Sequence, residues 1–182
     1  MTRRRGLIGC GVLTLAIAAG AAATPRAQSA ATPDLQAAFL LNFARFTEWP
    51  DGGGQPIVLC VFGDTRVAEA LLKALPGQSI EGRGLTVREI QPDADVRPCQ
   101  VLFVGKSSLS AAQPLLLDAS RLPVLTVSDR QGFAATAGII ELLIEGGHMR
   151  FAVNVDVARS SNLHLSSRLL DLARIVRGPH AR

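Results

Sequence analysis

Pro56-Ile57-Val58-Leu59-Cys60-Val61-Phe62-Gly63-Asp64 is the stretch whose reading decides the fold. An apolar run rich in β-branched and aromatic side chains, opened by a proline and closed by a glycine, reads as a strand buried on both faces. The positions that follow, Val67, Leu71, Leu72 and Leu75, recur at helical spacing, so strand and helix together open a βαβ unit. A second buried run, Gln100-Val101-Leu102-Phe103-Val104-Gly105, lies beside the first in a 2-1-3 strand order. Between them, residues 85–90 alternate as a half-exposed strand, which places them at the sheet edge. Residues 108–119 read as the next helix and residues 123–127 as another short buried strand ending at Ser128-Asp129.

Outward from this centre the chain divides simply. Thr32 is placed to cap a helix with Pro33 at its first position, and Leu35, Phe39, Phe43 and Phe46 give it an aromatic face with Ala38 and Asn42 between them. Asn42 within that stripe reads as a satisfied buried amide, with a ligand contact as the alternative. Trp49-Pro50 stops the helix. In the last third, residues 138–144 and 149–153 form two strand-like runs around Glu145-Gly146-Gly147, a hairpin that makes one edge of the sheet mixed. Asn154 can cap a short helix over residues 155–160. Ser166 or Ser167 can cap a final helix with the stripe Leu169, Leu172, Ala173 and Val176. The expectation is a single-domain α/β three-layer sandwich: a mostly parallel twisted sheet, helices on both faces and a C-terminal β-hairpin at one edge.

The 182 residues carry nineteen Lys and Arg against fifteen Asp and Glu, but three of the arginines, Arg3, Arg4 and Arg5, precede an apolar or small run that ends in Ala21-Ala22-Ala23. This is the pattern of a secretory signal peptide over residues 1–23, followed by a tether over 24–33, a domain over 34–178 and a tail over 179–182. Removing the signal leaves sixteen basic residues against fifteen acidic ones, a net charge of +1, which argues against a nucleic-acid partner. Leu7-Ile8-Gly9-Cys10 has the form of a lipoprotein box, but too little apolar sequence precedes it. Thr2-Arg3-Arg4 is weak evidence for twin-arginine export. Export leaves Cys60 and Cys99 in the mature chain, which an oxidising compartment favours as a disulfide between neighbouring strands. Two buried free thiols are the alternative.

Catalytic signatures are few. Gly105-Lys106-Ser107 follows a strand as a Walker lysine would, but Gln100 stands where the first loop glycine is needed. His148, His164 and His180 have no metal-ligand spacing with the acids, and no cofactor motif is present. Asp64 and Asp129 sit at the carboxyl ends of strands, where doubly wound sheets bind ligands, and are read either as helix caps or as paired acids. The residues point to an exported α/β domain without a visible active site.

Six blocks in order carry a family resemblance: Ala38-Phe39-Leu40-Leu41-Asn42-Phe43-Ala44-Arg45-Phe46-Thr47-Glu48-Trp49-Pro50, Leu59-Cys60-Val61-Phe62-Gly63-Asp64, Cys99-Gln100-Val101-Leu102-Phe103-Val104-Gly105, Pro123-Val124-Leu125-Thr126-Val127-Ser128-Asp129, Arg150-Phe151-Ala152-Val153-Asn154 and Leu165-Ser166-Ser167-Arg168-Leu169-Leu170. Over essentially the whole mature chain this resembles the YfiR/HmsC family of periplasmic proteins. The resemblance implies a dimeric regulator that binds the periplasmic part of an inner-membrane diguanylate cyclase and holds it inactive, limiting cyclic-di-GMP, exopolysaccharide and biofilm. It also implies an OmpA-like outer-membrane lipoprotein that sequesters the regulator, and a disulfide matching Cys60 with Cys99. The second disulfide of the best-studied members falls in the region of residues 133–145, where this chain has no cysteine.

On that reading the partner-binding residues are Arg150, Asn154, Arg159, His164 and Arg168, with Leu163 and Leu165 as apolar anchors. Taken singly, Leu163 and Leu165 read equally well as core and Asn154 as a cap. A periplasmic small-ligand sensor with a pocket near Asp64 and Asp129, gating a membrane receptor or sensor kinase, is the alternative function.

Overall fold

The structure is a computed structural model and describes residues 32–50, 54–136 and 138–177. The expected signal peptide, most of the tether, His180 and the tail lie outside the described residues. The first helix, α1 (Pro33–Arg45), starts where the sequence sets it: Thr32 Oγ1 accepts from Leu35 N at 3.3 Å, and Pro33 occupies the first turn. Its buried face is rotated from the expected one. Gln36, Ala37, Leu40, Leu41, Phe43 and Ala44 are buried, whereas Leu35, Ala38 and Asn42 are exposed and Phe39 is half-buried. Asn42 is therefore a surface amide, its Oδ1 accepting from Arg45 Nη1 at 3.3 Å. The rotation follows from the partner: Phe43 and Phe39 pack edge-on against Phe151 at centroid distances of 5.0 and 6.1 Å, which fixes the face turned inward.

Helix α1 ends at Arg45, before Trp49-Pro50, because β1 (Thr47–Glu48) turns away to pair antiparallel with β9 (His164–Leu165). The main sheet has eight strands: β2 (Ile57–Phe62), β3 (Ser79–Ile80), β4 (Arg83–Glu89), β5 (Val101–Val104), β6 (Leu125–Ser128), β7 (Ile140–Glu145), β8 (His148–Asn154) and β10 (Arg174–Val176). Their order is β10-β8-β7-β6-β5-β2-β4-β3. β2 is parallel to β4 on one side and to β5 on the other, and the parallel run continues through β6 and β7, the arrangement expected of a doubly wound fold.

Both edges differ from expectation. Beyond β4, the chain's own β3 adds a strand antiparallel to it across the Glu81-Gly82 turn, where both residues have positive φ, of 51° and 76°. Beyond the β7–β8 hairpin lies β10, parallel to β8. The final helix, α6 (Ser167–Leu170), has only one turn, and Leu172 of its expected stripe is 74% exposed. Arg174-Ile175-Val176 leaves the helical path because the β8 edge supplies ladder partners that a frayed helix end does not. Similarly, α3 (Gln113–Ala119) begins later than expected, with Pro114 in its first turn, after a 3₁₀ turn over Lys106–Ser108, since a proline is tolerated in the first turn of a helix and not inside it.

Period-two alternation sorts the strand side chains into two cores. Leu59, Val61, Val101, Phe103, Leu125 and Val127 face α1 and α2 (Thr65–Ala74). Cys60, Phe62, Leu102 and Val104 face Ala112 and, on α3, Leu115 and Ala119. The Cys60–Cys99 disulfide lies in this second core with both cysteines buried and their Cα atoms 5.8 Å apart. It joins β2 to the residue two before β5 across a sequence separation of 39, which in the chain-entropy account stabilises the fold by roughly 3 to 4 kcal/mol.

Candidate functional site

Doubly wound sheets bind ligands where the strand order reverses, here between the ends of β2 and β5. That place is filled. Gly105 N donates to Phe62 O at 2.9 Å, and a Cβ on Gly105 would stand 2.9 Å from Gly63 O. Gly63, at φ 78°, is covered by Ser108, whose side chain a Cβ there would meet at 2.1 Å. Only glycines permit these loops to close on one another. Asp64 occupies the N-cap position of α2 without a side-chain cap bond and lies 3.4 Å from Arg66. Asp129 caps a different element from its own: its Oδ1 accepts from Lys106 N at 2.7 Å and so ties the end of β6 to the end of β5. Asp129 and Lys106 line a crevice beside β7, of which Asp64 is not part.

The C-terminal elements gather most of the expected partner-binding residues. Helix α5 (Val155–Ser160) is capped by Asn154, whose Oδ1 accepts from Val157 N at 3.1 Å. The same side chain donates from Nδ2 to Ala134 O at 2.8 Å, and with 0% exposure Asn154 is an internal clamp between β8, α5 and α4 (Phe133–Thr136). The far end of α5 closes in a Schellman arrangement. Asn162, at φ 55°, donates to Arg159 O, and Leu163 N donates to Ala158 O, both at 3.0 Å. This turn drives Leu163 back into the core. The chain then forms β9, where Leu165 points inward opposite Thr47 and His164 stands exposed opposite Glu48. Ser166 N donates to Phe46 O at 2.9 Å and Ser166 Oγ accepts from Leu169 N at 3.3 Å, which starts α6.

A groove of about 260 Å³ results, with Leu163 and Leu165 beneath and Arg159, His164 and Ser167 around it. Arg159 is exposed and 3.9 Å from Asp156. Arg168 is exposed on α6 next to Ser167, and Arg150 is exposed on β8 opposite Leu143, neither of them lining the groove. The structure thus brings Arg159, Leu163, His164 and Leu165 together and leaves Arg150, Asn154 and Arg168 outside. Leu163 and Leu165, 4% and 9% exposed, form the floor of the groove. Sequence reasoning missed Glu141, a strand residue only 4% exposed whose Oε2 accepts from Ala134 N at 3.2 Å. The available signal was a charged residue within the apolar run Ile139-Ile140-Glu141-Leu142-Leu143.

Fold and staple define a disulfide-bridged, doubly wound α/β domain, and no helix among the described residues is long and apolar enough to cross a membrane. Residues 33–174 match the model of the YfiR/HmsC-like family, and the chain belongs to that family. Its members are regulatory domains of the periplasm that act in cyclic-di-GMP signalling through partner proteins.

Proposed function

We propose that this protein is a periplasmic repressor of an inner-membrane diguanylate cyclase. It binds the periplasmic part of the enzyme in its inactive state, and an OmpA-like outer-membrane lipoprotein relieves the repression by sequestering it. Family membership over residues 33–174 is the observation that carries the reading. The groove formed by α5, β9 and α6 supports it by offering what partner recognition uses: exposed Arg159 and His164 on a floor of buried leucines, with Arg168 exposed outside it on α6. A repressor acts only through its preference for one state of its target, so the groove must bind the inactive cyclase better than the active one. Leu163 and Leu165 contribute shape; the arginines and His164 contribute contacts. The working form is a homodimer whose domain spans residues 34–178 after removal of residues 1–23.

The test is binding of the purified mature protein to the isolated periplasmic domains of the host's diguanylate cyclases. Saturable binding to one of them, weakened about tenfold or more by Arg159→Glu with His164→Glu, is expected. Binding to none, or equal binding by the double variant, contradicts the proposal.

A further inference from the structure

Strand β6 stops at Ser128, whereas its neighbour β7 runs on to Glu145. Their ladder is two residue pairs long, Val127 with Ile140 and Ser128 with Glu141. Residues 142–145 of β7 therefore have a strand neighbour only on the β8 side. The register tells which backbone groups remain open. Asn154 N donates to Ile139 O at 2.8 Å, so in the antiparallel β7–β8 pairing residues 141, 143 and 145 exchange bonds with β8, while 140, 142 and 144 point away from it. Ile140 faces β6. The Ser128–Glu141 pairing of that ladder uses the Leu142 N–H, which donates to the Ser128 carbonyl, so the Leu142 C=O and the Ile144 N–H and C=O are the groups turned to the space beyond the end of β6, where no strand of the sheet lies.

That space is the crevice beside Lys106 and Asp129, about 440 Å³ in volume, within the range of ligand sites. The free edge, from the Leu142 carbonyl to Glu145, is about 10 Å long at strand spacing. Leu142 and Ile144 stand on one face of β7 and Glu141 and Leu143 on the other. Among the described residues Asp129 and Glu141 have no ion pair, whereas Glu145 is already engaged by Arg174 at 2.8 Å. Acceptors two residues apart on Leu142 and Ile144, with the Ile144 donor between them, are matched by another extended main chain and not by a compact metabolite.

We propose that this crevice binds an extended peptide segment of a partner protein, which adds to the β7 edge in place of the missing continuation of β6. Apolar side chains of the segment lie against Leu142 and Ile144, and a basic side chain lies toward Asp129 and Glu141. The crevice shares no residue with the groove around His164, and the inference stands whichever protein that groove recognises.

The probe is the capped peptide Ac-Val-Lys-Val-Lys-Val-amide, added at up to millimolar concentration to the isotope-labelled mature chain. In the free protein the Ile144 amide exchanges with solvent at least about tenfold faster than those of Leu142 and Leu143, whose N–H groups are in the ladders to β6 and β8. The peptide protects the Ile144 amide and shifts the Leu142 and Ile144 resonances. Methylating the backbone nitrogens on one edge of the peptide weakens binding about tenfold or more, since the main-chain bonds are lost. Ile144→Pro removes a donor that β8 does not use, so the variant keeps its fold and loses the peptide response. Should that variant not fold, the methylated peptide on the wild type decides alone. A protected Ile144 amide in the free protein would mean that the chain's own segments fill the edge, and would overturn the proposal. So would equal binding of the methylated peptide, or no response to either peptide. A thermal shift with a metabolite library alongside an absent peptide response would give the crevice to a small molecule instead.

Discussion

The surroundings of Cys60 and of His164 are built in opposite ways. Around Cys60, parallel strands are continuously buried, a disulfide crosses between them, and glycine loops close the place where such sheets usually hold a ligand. Around His164 the elements are two to six residues long, and capping side chains and single backbone bonds hold them instead of long ladders. One region is a frame and the other is a surface mounted on it. The contrast teaches that sheet topology does not by itself locate function, because here the habitual crevice is packed shut and open grooves lie elsewhere.

The largest effect that could break this contrast is loss of the staple. Cys60→Ala with Cys99→Ala should cost roughly 3 to 4 kcal/mol in denaturant unfolding, and the natively oxidised protein should show no free thiol by intact mass after alkylation. Two alkylated cysteines would remove the staple from the account. Next comes the floor of the groove: Leu165→Ala should cost about 3 kcal/mol, because a core side chain leaves a cavity behind. Asn154→Ala follows at about 2 kcal/mol, since the substitution abandons both the Ala134 carbonyl and the Val157 amide. By contrast, His164→Ala and Arg168→Ala should each change stability by less than about 0.5 kcal/mol, which separates surface from floor within neighbouring residues. A large loss from either would place it in the frame.

The smallest effect is electrostatic. A side-chain hydrogen bond from Arg97, joined by its backbone N–H and its charge, holds the Asp95 carboxyl below the usual carboxylate range. A depressed folded value means that the pair's contribution is present above the ordinary aspartate pKa and disappears as pH falls through the folded one. Because the pair is fully exposed, Asp95→Asn should leave the neutral-pH melting temperature nearly unchanged, while NMR titration should show Asp95 protonating below the ordinary aspartate range.

Much of the frame was legible in the sequence. The run from Ile57 to Phe62 could be little else than a buried strand, and Thr32, Asn154 and Ser166 announced their helices by capping chemistry that depends on near neighbours. What escaped reading depended on distant partners. Helical spacing gave α1 an apolar stripe, but Phe151, more than a hundred residues away, decided which way it turned. Arg174-Ile175-Val176 fitted a helix until the free edge of β8 was available to it. Of the expected partner-binding residues, Asn154 had a local signature that favoured a cap. The inward turn of Leu163 rests on Asn162 adopting positive φ, which asparagine permits without requiring it.

The central claim is repression of a diguanylate cyclase, and the most direct measurement is cyclic-di-GMP in the native host. The gene would be deleted and then restored either as wild type or as the Arg159→Glu, His164→Glu double variant. The account predicts a rise on deletion, a return to the original level with the wild type, and a level that stays high with the double variant accumulated to equal amount. An unchanged level on deletion would contradict the repressor itself, and full restoration by the double variant would contradict the groove as its means.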